Sequence, residues 1–312
     1  MTSGGAHVVF GTGPVGCWTA RALVDLGLSV RVVNRSGRRP SLLPEEAEVV
    51  AADISDPARA EEAARGAAVV YQAMNPPYHR WLELFPALQR GALAAARAAG
   101  ARYVSIENLY MLDPTPPITE RSAVAPRSRK GALRARMAEE VMAAHARGEI
   151  VAAALRPSDY YGPGVTDSTF GERVFGPLLA GKAAQVLGSA SQPHSFAFIE
   201  DVGRAAATLG TRPEAWGRAW IAPHAPAVTQ GEMVAIACRS LGREPALSVV
   251  SPAMLRLAGL FVPGARASVE MMYQFTAPFV ADGSAIEREL GVAPTTLEEG
   301  IARTVAWYRA RR

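Results

Sequence analysis

Hydrophobic positions near the amino terminus change from one period to another, which predicts a strand, a helix and a second strand in close succession. Residues 8–10 form a short apolar run that ends at Gly11. From Gly16 onward, apolar positions recur with the 3.6-residue period of a helix, and a second apolar run, 30–33, follows Gly27. The spacing therefore predicts a strand–helix–strand unit with a glycine-rich turn at its first crossover.

The same exchange of apolar runs and helical periods continues through the first half of the chain. It predicts further strands at 48–52, 67–71, 102–106 and 150–156, and helices at 57–65, 82–99 and 130–145. Strands that alternate with helices in this way form a parallel sheet with helices on both faces. We expect an α/β fold with a doubly wound parallel sheet.

After about Asp167 the pattern becomes less regular. It predicts a helix over 172–179, a hairpin over 185–198 and a helix from Val202. We therefore expect a nucleotide-binding domain at 1–165 and, at 166–312, a mainly substrate-binding region with some segments that return to the first domain.

The glycine-rich turn carries the first chemical prediction. Gly11, Gly13 and Gly16 have the G-x-G-x-x-G spacing between a strand and a helix, with Pro14 and Val15 inside the motif. Such a turn lets the backbone approach a diphosphate, which then faces the free N–H groups of the helix. The alternative is an ordinary glycine-rich turn. We expect a dinucleotide cofactor.

The residues at the end of the second predicted strand indicate which dinucleotide binds. Asn34 is neutral where an acidic residue would bind the ribose 2′-hydroxyl of NAD, and Arg35 follows it. A guanidinium pairs with a 2′-phosphate, so the expected cofactor is NADP(H). The alternative is a solvated arginine-rich loop. Asp53 and Ile54, after the third strand, are expected beside the adenine.

Residues that follow other predicted strands complete the cofactor prediction, because open α/β sheets bind ligands at the carboxyl ends of their strands. The further cofactor residues predicted there, or at the start of the helix that follows, are Ala73, Met74, Asn75, Lys130, Pro157 and Ser158.

Composition excludes several other classes of protein. The chain has 312 residues, 49% hydrophobic and 20% charged, which is typical of a globular protein. It has no apolar run of 18 residues and no secretory-signal pattern, so we expect a cytoplasmic protein without a membrane partner. A net charge of +4 without a dense basic stripe argues against a nucleic-acid partner. The sequence has no metal-binding motif, and it leaves monomer and homodimer open.

Motifs along the whole chain resemble the extended short-chain dehydrogenase/reductase proteins, the group labelled NAD-dependent epimerase/dehydratase. The resemblance implies a Rossmann-type domain and a small C-terminal substrate domain. The matching segments, in family order, are GTGPVG, VSIENLYM, RPSDYYGPG, FAFIEDV and ELGVAPTTLEEGIARTVAWYR.

The catalytic residues depart from that family pattern. The family uses a Ser or Thr together with Tyr-x-x-x-Lys, in which the tyrosine transfers a proton. Here Ile106 holds the serine position, and Lys130 and Arg134 fill the Tyr-x-x-x-Lys positions. The chain thus resembles an atypical member of the family that lacks the tyrosine.

Three interpretations of the altered catalytic set remain open. The chain can be an enzyme with another proton donor, the tyrosine role can have moved to Tyr160 or Tyr161, or the chain can be a silent NADP(H) redox sensor. We favour an NADPH-dependent reductase of a carbonyl on an apolar small molecule, with a nucleotide-sugar epimerase or dehydratase as the alternative enzyme. The catalytic candidates are Lys130, Tyr110, Asn108 and Tyr161.

Overall fold

The computed structural model describes residues 5–311, and a parallel sheet of seven strands lies at its centre. Within the described residues the strands are β1 Ala6–Phe10, β2 Val30–Asn34, β3 Glu48–Ala51, β4 Ala67–Gln72, β5 Arg102–Ile106, β6 Ala152–Arg156, β7 Asp159–Tyr161, β8 Ala184–Leu187, β9 Pro193–His194, β10 Phe196–Phe198, β11 Ala219–Ile221, β12 Val228–Thr229 and β13 Leu247–Val250. The seven central strands lie in the order β3-β2-β1-β4-β5-β6-β11.

Helices connect the strands. Over the same residues they are α1 Pro14–Asp25, α2 Pro57–Ala63, α3 Trp81–Ala99, α4 Arg129–Ala146, α5 Glu172–Leu179, α6 Ile199–Thr211, α7 Gln230–Ser240, α8 Pro252–Ala258, α9 Pro263–Ser268, α10 Tyr273–Thr276, α11 Ser284–Leu290 and α12 Leu297–Ala310. Short 3₁₀ turns precede α3 and α10. The predicted Rossmann-type α/β fold is confirmed.

The sheet is buried on both faces, which explains the continuous apolar runs of its strands. Val9, Val32 and Val104 pack on one face among residues of α1 and α6. Val8 and Val70 pack on the other face among residues of α2 and α3. All neighbouring pairs in the sheet are parallel, so the strands end at one common edge.

The C-terminal half of the chain contributes both to this sheet and to a second apolar cluster. Strand β11 extends the sheet beside β6, and α6 packs against α1. The separate cluster includes Phe175, Met233 and Ile301 from three different helices. The chain leaves the central sheet after β6, which ends at Arg156, and returns to it at β11. The division at residues 165 and 166 stays a prediction.

The hairpin predicted over 185–198 is wrong. Its strands pair elsewhere: β8 with β13 in parallel, β9 with β12 in antiparallel, and β10 with β7 in parallel. Pro193 begins the expected second arm and has no N–H to donate to a ladder with the first. The helix expected from Val202 begins three residues earlier, at Ile199.

A helix that crosses a bilayer must be both long and apolar. From Gly5 to Arg311, no helix combines the length and the apolar character that a membrane crossing requires.

Candidate active site

The glycine turn after β1 has a geometry that two of its glycines make necessary. Gly11 has a φ of +112°, and a Cβ there would lie 2.8 Å from the carbonyl oxygen of Ala73. A Cβ on Gly16 would collide with the carbonyl oxygen of Gly11. Side chains at these positions would break the close contact of α1 with β1 and β4.

Gly13 is different, because nothing among residues 5–311 requires a glycine there. Its backbone is extended, and a Cβ would have no atom within 4 Å. Among the described glycines with such open space, only Gly13 and Gly264 lack a positive φ. A glycine that neither strain nor packing explains fits a turn whose neighbour is a ligand.

The helix that follows Gly13 is also suited to an anion. Pro14 is its first residue, no side chain caps its N-terminus, and its first turn has no acidic residue. Val15 and Gly16 are buried, so the backbone of the first turn is fixed. The turn and the uncapped helix therefore fit a dinucleotide diphosphate.

The predicted ribose-phosphate site is a turn that Asn34 organises. The side-chain oxygen of Asn34 accepts bonds from the backbone N–H groups of Ser36 and Gly37, and its amide donates to the Arg38 carbonyl at 2.9 Å. Asn34 thus shapes the turn. Arg35 and Arg38 extend from it as exposed guanidinium groups.

Arg39 has a different role from these two arginines. Its guanidinium donates to the carbonyl oxygens of Pro44 and Ala47, at 2.7 and 2.6 Å. It therefore fixes the following loop. Arg35 and Arg38 remain the cations able to meet a phosphate at the end of β2.

The two residues predicted beside the adenine differ in what they present. Asp53 is exposed, and one oxygen of its carboxylate accepts bonds from the backbone and hydroxyl of Ser55. Those hydrogen bonds hold the pKa of Asp53 below its usual value. The Ile54 side chain is buried in the core under α3, so only its backbone can meet a ligand.

The remaining predicted cofactor residues lie at the common edge of the sheet. Ala73 is buried beside Gly11, Met74 is half-buried and Asn75 is exposed. Pro157 and Ser158 directly follow β6 and are both buried. The Ser158 hydroxyl has no hydrogen-bond partner within the described residues, so it is available to a polar group of a ligand.

Lys130 is a buried cation held between two parts of the chain. Its Nζ donates to Glu270 Oε1 and to the Ala267 carbonyl oxygen, both at 2.7 Å, and lies 4.5 Å from the centre of the Tyr78 ring. These two bonds connect Lys130 with the C-terminal segment and not with the glycine turn. An ammonium group has three N–H donors, so one remains beyond these bonds.

Glu270 also stabilises the beginning of α4. Its second carboxylate oxygen accepts the backbone N–H of Arg129 at 2.7 Å. Ser128 caps the same helix through a bond from the Gly131 N–H. A carboxylate at a helix N-terminus is favourable, so Glu270 fixes both the helix and the Lys130 ammonium.

Tyr110 and Tyr78 form a hydroxyl pair next to Lys130. Their hydroxyl groups lie within hydrogen-bonding reach of each other, and Trp81 stacks on Tyr110 with ring centres 6.1 Å apart. Burial raises the pKa of both tyrosines, and the negative charge of Asp159 raises each further. Both hydroxyl groups are therefore protonated at neutral pH.

The other two catalytic candidates are placed differently. Asn108 accepts the backbone N–H of Tyr110 at 3.1 Å, so its side-chain oxygen caps the turn after β5. Tyr161 is only 1% exposed and packs against Phe198 and Gly300 in the C-terminal cluster. Tyr161 thus belongs to a different cluster from Tyr110 and Tyr78, and its role as a proton donor stays a prediction.

A buried ion pair supports the floor of the site. Arg156 Nε donates to Glu107 Oε2 at 2.8 Å, and both side chains are at most 10% exposed. Arg134, at the family's lysine position, is buried beside them and donates to the Ile106 carbonyl oxygen at 2.9 Å. These side chains join the carboxyl ends of β5 and β6 to α4.

Two residues of the site, Asp159 and Glu270, were not among the predicted ones. Asp159 Oδ2 lies within hydrogen-bond distance of His194 Nε2, at 3.0 Å, and His194 stacks against Phe275 and Phe279. Asp159, like Ser158, follows strand β6, and that position could have identified it as a site residue. Glu270 could have been identified because it is the only acidic residue between Glu244 and Asp282. Over residues 5–311 there is no group of three or more His, Cys, Asp or Glu suited to a metal.

Comparison with known protein families identifies the family of this chain. A family model described as NAD dependent epimerase/dehydratase family matches residues 7–220, which is more than half of the chain. The chain belongs to this family. The resemblance seen in the motifs, to the epimerase/dehydratase group of the extended short-chain dehydrogenase/reductase proteins, is confirmed.

One curated relative and several solved structures are similar to this family member. The ceramide reductase of Caulobacter vibrioides (strain NA1000 / CB15N) is 32% identical over 162 residues, 50% of this chain and 46% of the relative. The match thus spans about half of that protein. UDP-glucuronic acid 4-epimerase from Bacillus cereus, in complex with NAD, is 15% identical with a TM-score of 0.79 over 98% of this chain and 99% of that one.

A double mutant of dTDP-glucose 4,6-dehydratase from Streptomyces venezuelae, with NAD bound, is also similar. It is 22% identical, with a TM-score of 0.77 over 98% of this chain and 97% of that one. At this level of identity, the two solved structures show the fold that this family member shares with them.

Proposed function

We propose that the chain is an NADP(H)-dependent reductase that acts on a ketone or other carbonyl of an apolar molecule. The observation that carries the proposal is the protonated Tyr78–Tyr110 pair beside the Lys130 ammonium, at the sheet edge where the glycine turn also lies. When bound, the reduced nicotinamide supplies a hydride. The protein must then supply the proton that completes the alcohol.

The tyrosine pair is protonated at neutral pH, so it holds a proton for the reduction of a carbonyl. Oxidation of an alcohol needs a base, and burial and the charge of Asp159 disfavour the tyrosinate anion. Reduction needs a proton donor, and both the neutral tyrosine and the Lys130 ammonium carry a proton. A carbonyl oxygen between them would accept a hydrogen bond before it accepts the proton.

The proposal assigns NADP(H) rather than NAD(H) on the residues after β2. Arg35 and Arg38 are exposed cations on a turn held by Asn34, and a 2′-phosphate pairs with such groups. The solved structures described above contain NAD, so the assignment is tested by comparing NADPH with NADH.

Gly13→Val is expected to weaken cofactor binding strongly while the protein stays folded. A Cβ at this position has no atom of the described residues within 4 Å, so the added side chain would occupy the space assigned to the diphosphate. We expect the Kd for NADPH, measured by calorimetry, to rise more than about tenfold, since the diphosphate bonds involve a charged group. Gly264→Val is the matched control, because Gly264 is equally open and also lacks a positive φ. Equal affinity in both variants would contradict the assignment.

The substrate is proposed to be apolar, with long-chain ketones as the first class to test. The residues around the proton donors are aromatic and aliphatic: Tyr78 and Tyr110 pack with Trp81 and Phe85, and Tyr273 packs against Phe279. The relative named as a ceramide reductase supports a lipid-like substrate. A sugar nucleotide would need more polar partners than this surface provides.

The reductase proposal is tested by the fall in NADPH absorbance when purified protein is mixed with a series of ketones. We expect oxidation of NADPH with long-chain ketones, slower oxidation with short ones, and a lower rate with NADH. No turnover with any ketone, together with tight NADPH binding, would favour the redox sensor. Release of NAD from the denatured protein would instead support the epimerase or dehydratase alternative.

A further inference from the structure

Exposed apolar side chains are concentrated on one short part of the C-terminal region. We call Met254, Leu257, Leu260, Phe261 and Val262 the apolar cap. They lie on α8 and in the turn that follows it, and they are 52–82% exposed, with Phe261 the most exposed. A continuous apolar patch of this kind on a folded chain marks a surface that a membrane or another molecule covers.

The apolar cap lies on an ordered element that is anchored from below. Leu255 points inward and packs with Leu187, Met272 and Phe275. Ser251 caps α8 through a bond from the Met254 N–H at 3.2 Å. Because the inward face is already packed against the protein, the outward apolar face is not a misplaced part of the core.

The charged residues in the segment that carries the apolar cap are all positive. Residues 245–269 contain no Asp or Glu, while Arg256 and Arg266 lie within this stretch and are exposed. An apolar face with arginines at its border is typical of helices that lie in the interface of an anionic bilayer, where the guanidinium groups meet lipid phosphates.

We propose that the apolar cap docks on the surface of an anionic lipid bilayer, with Leu260 and Phe261 at the boundary of headgroups and acyl chains. A second copy of the chain fits less well, since a two-fold contact on this face would place the arginines of both copies on the same small surface. The proposal revises the expectation, drawn from the sequence, that the protein has no membrane partner. It concerns a surface contact and needs no spanning helix.

The apolar cap is continuous with the residues that hold Lys130. Helix α9 follows directly, and the Ala267 carbonyl oxygen and the Glu270 carboxylate both bind Lys130 Nζ at 2.7 Å. Docking through α8 would therefore place the bilayer beside the segment that covers the proton donors. The docking proposal goes beyond the proposed reduction and does not depend on it.

Flotation with lipid vesicles tests the docking without any turnover. The full chain, free of added cofactor, is mixed with phosphatidylcholine vesicles that contain phosphatidylglycerol or lack it. We expect the protein to float with the anionic vesicles and to bind the neutral ones more weakly. For the double variant Leu260→Ser/Phe261→Ser we expect affinity for the anionic vesicles to fall about tenfold or more, because two large apolar side chains leave the interface.

Two further variants keep the test specific. Leu26→Ser is the matched control, because Leu26 is 59% exposed but lies at the end of α1. Its binding should equal that of the unchanged protein. Arg256→Gln/Arg266→Gln should lose the preference for anionic vesicles, and thermal unfolding should show that every variant is folded.

Three outcomes would overturn the proposal. Equal flotation of the Leu260→Ser/Phe261→Ser variant and the unchanged protein would remove the apolar cap from any membrane contact. Failure of the unchanged protein to bind either kind of vesicle would exclude docking on lipid. A dimer in solution that this variant dissociates, with no vesicle binding, would assign the surface to a second copy. Each readout is independent of NADPH oxidation, so failure of docking is distinct from failure of the reductase proposal.

Discussion

Lys130→Met is expected to lower kcat for ketone reduction by roughly 100-fold or more, the usual contribution of a positioned proton donor. Lys130 is buried beside Tyr78, and methionine keeps the length of the side chain but removes the ammonium. The Kd for NADPH should stay within about twofold, because the two hydrogen bonds of Lys130 run to Ala267 and Glu270. Steady-state kinetics and calorimetry on the same preparation measure the two quantities.

Two control variants separate proton donation from the structural role of Lys130. Lys182→Met changes the other lysine of the chain, which is exposed, and should leave kcat unchanged. Glu270→Gln removes the ion pair but keeps the ammonium. It should therefore lower the stability of the fold clearly and kcat only slightly. An equal fall in kcat for Glu270→Gln and Lys130→Met would make Lys130 a positioning residue. Unchanged turnover in Lys130→Met would remove it from the reaction.

The sheet was predictable from the sequence because its information is local. The strands from β1 to β6 contain apolar runs that the two faces of the sheet bury, except in the edge strand β3, which is at most half-buried. Such a run can be identified without knowing which strand lies beside it. The pairings of the C-terminal strands were not predictable in the same way. Strands of two to four residues carry too little pattern to select a partner, and β8 pairs with β13, about 60 residues away.

The residues of the candidate site were likewise predictable only where the evidence for them was local in the sequence. The glycine turn and the Asn34–Arg35 pair could be identified because the residues that matter are neighbours in sequence. Lys130 could be identified as a candidate, but its partner Glu270 lies 140 positions further on, and no local pattern connects the two. The enclosure of Tyr161 in the C-terminal cluster could not be predicted, because a position after a strand does not show which side the ring takes.

The effect of Asp159 could not be recognised when each position of the sequence was considered alone. Its neighbours in the sequence, Ser158 and Tyr160, were both considered from the family motif. Its influence comes through space, because its charge raises the pKa of Tyr78, Tyr110 and Tyr273, which come from three separate segments. The electrostatic environment of these hydroxyl groups is therefore a property of the assembled site.

Arg35→Glu is expected to raise the KM for NADPH by about 10- to 100-fold and to change the KM for NADH little. The variant removes a guanidinium that can pair with the 2′-phosphate and places a carboxylate beside it, and bonds to charged groups contribute about 1.5–3 kcal/mol each. Arg35 is exposed at the end of a turn that Asn34 holds through its own side chain, so the exchange should not disturb the fold. Initial rates with each cofactor at saturating ketone measure the effect.

Substitutions of two other arginines provide the controls for Arg35→Glu. Arg90→Glu reverses the charge of another exposed arginine, on α3, and should leave the ratio of the two KM values unchanged. Arg39→Glu breaks the bonds to the Pro44 and Ala47 carbonyl oxygens, so it should lower the melting temperature more than it alters cofactor choice. If Arg35→Glu raised both KM values equally, the phosphate assignment would be wrong, since only one of the two cofactors carries the group that Arg35 is proposed to bind.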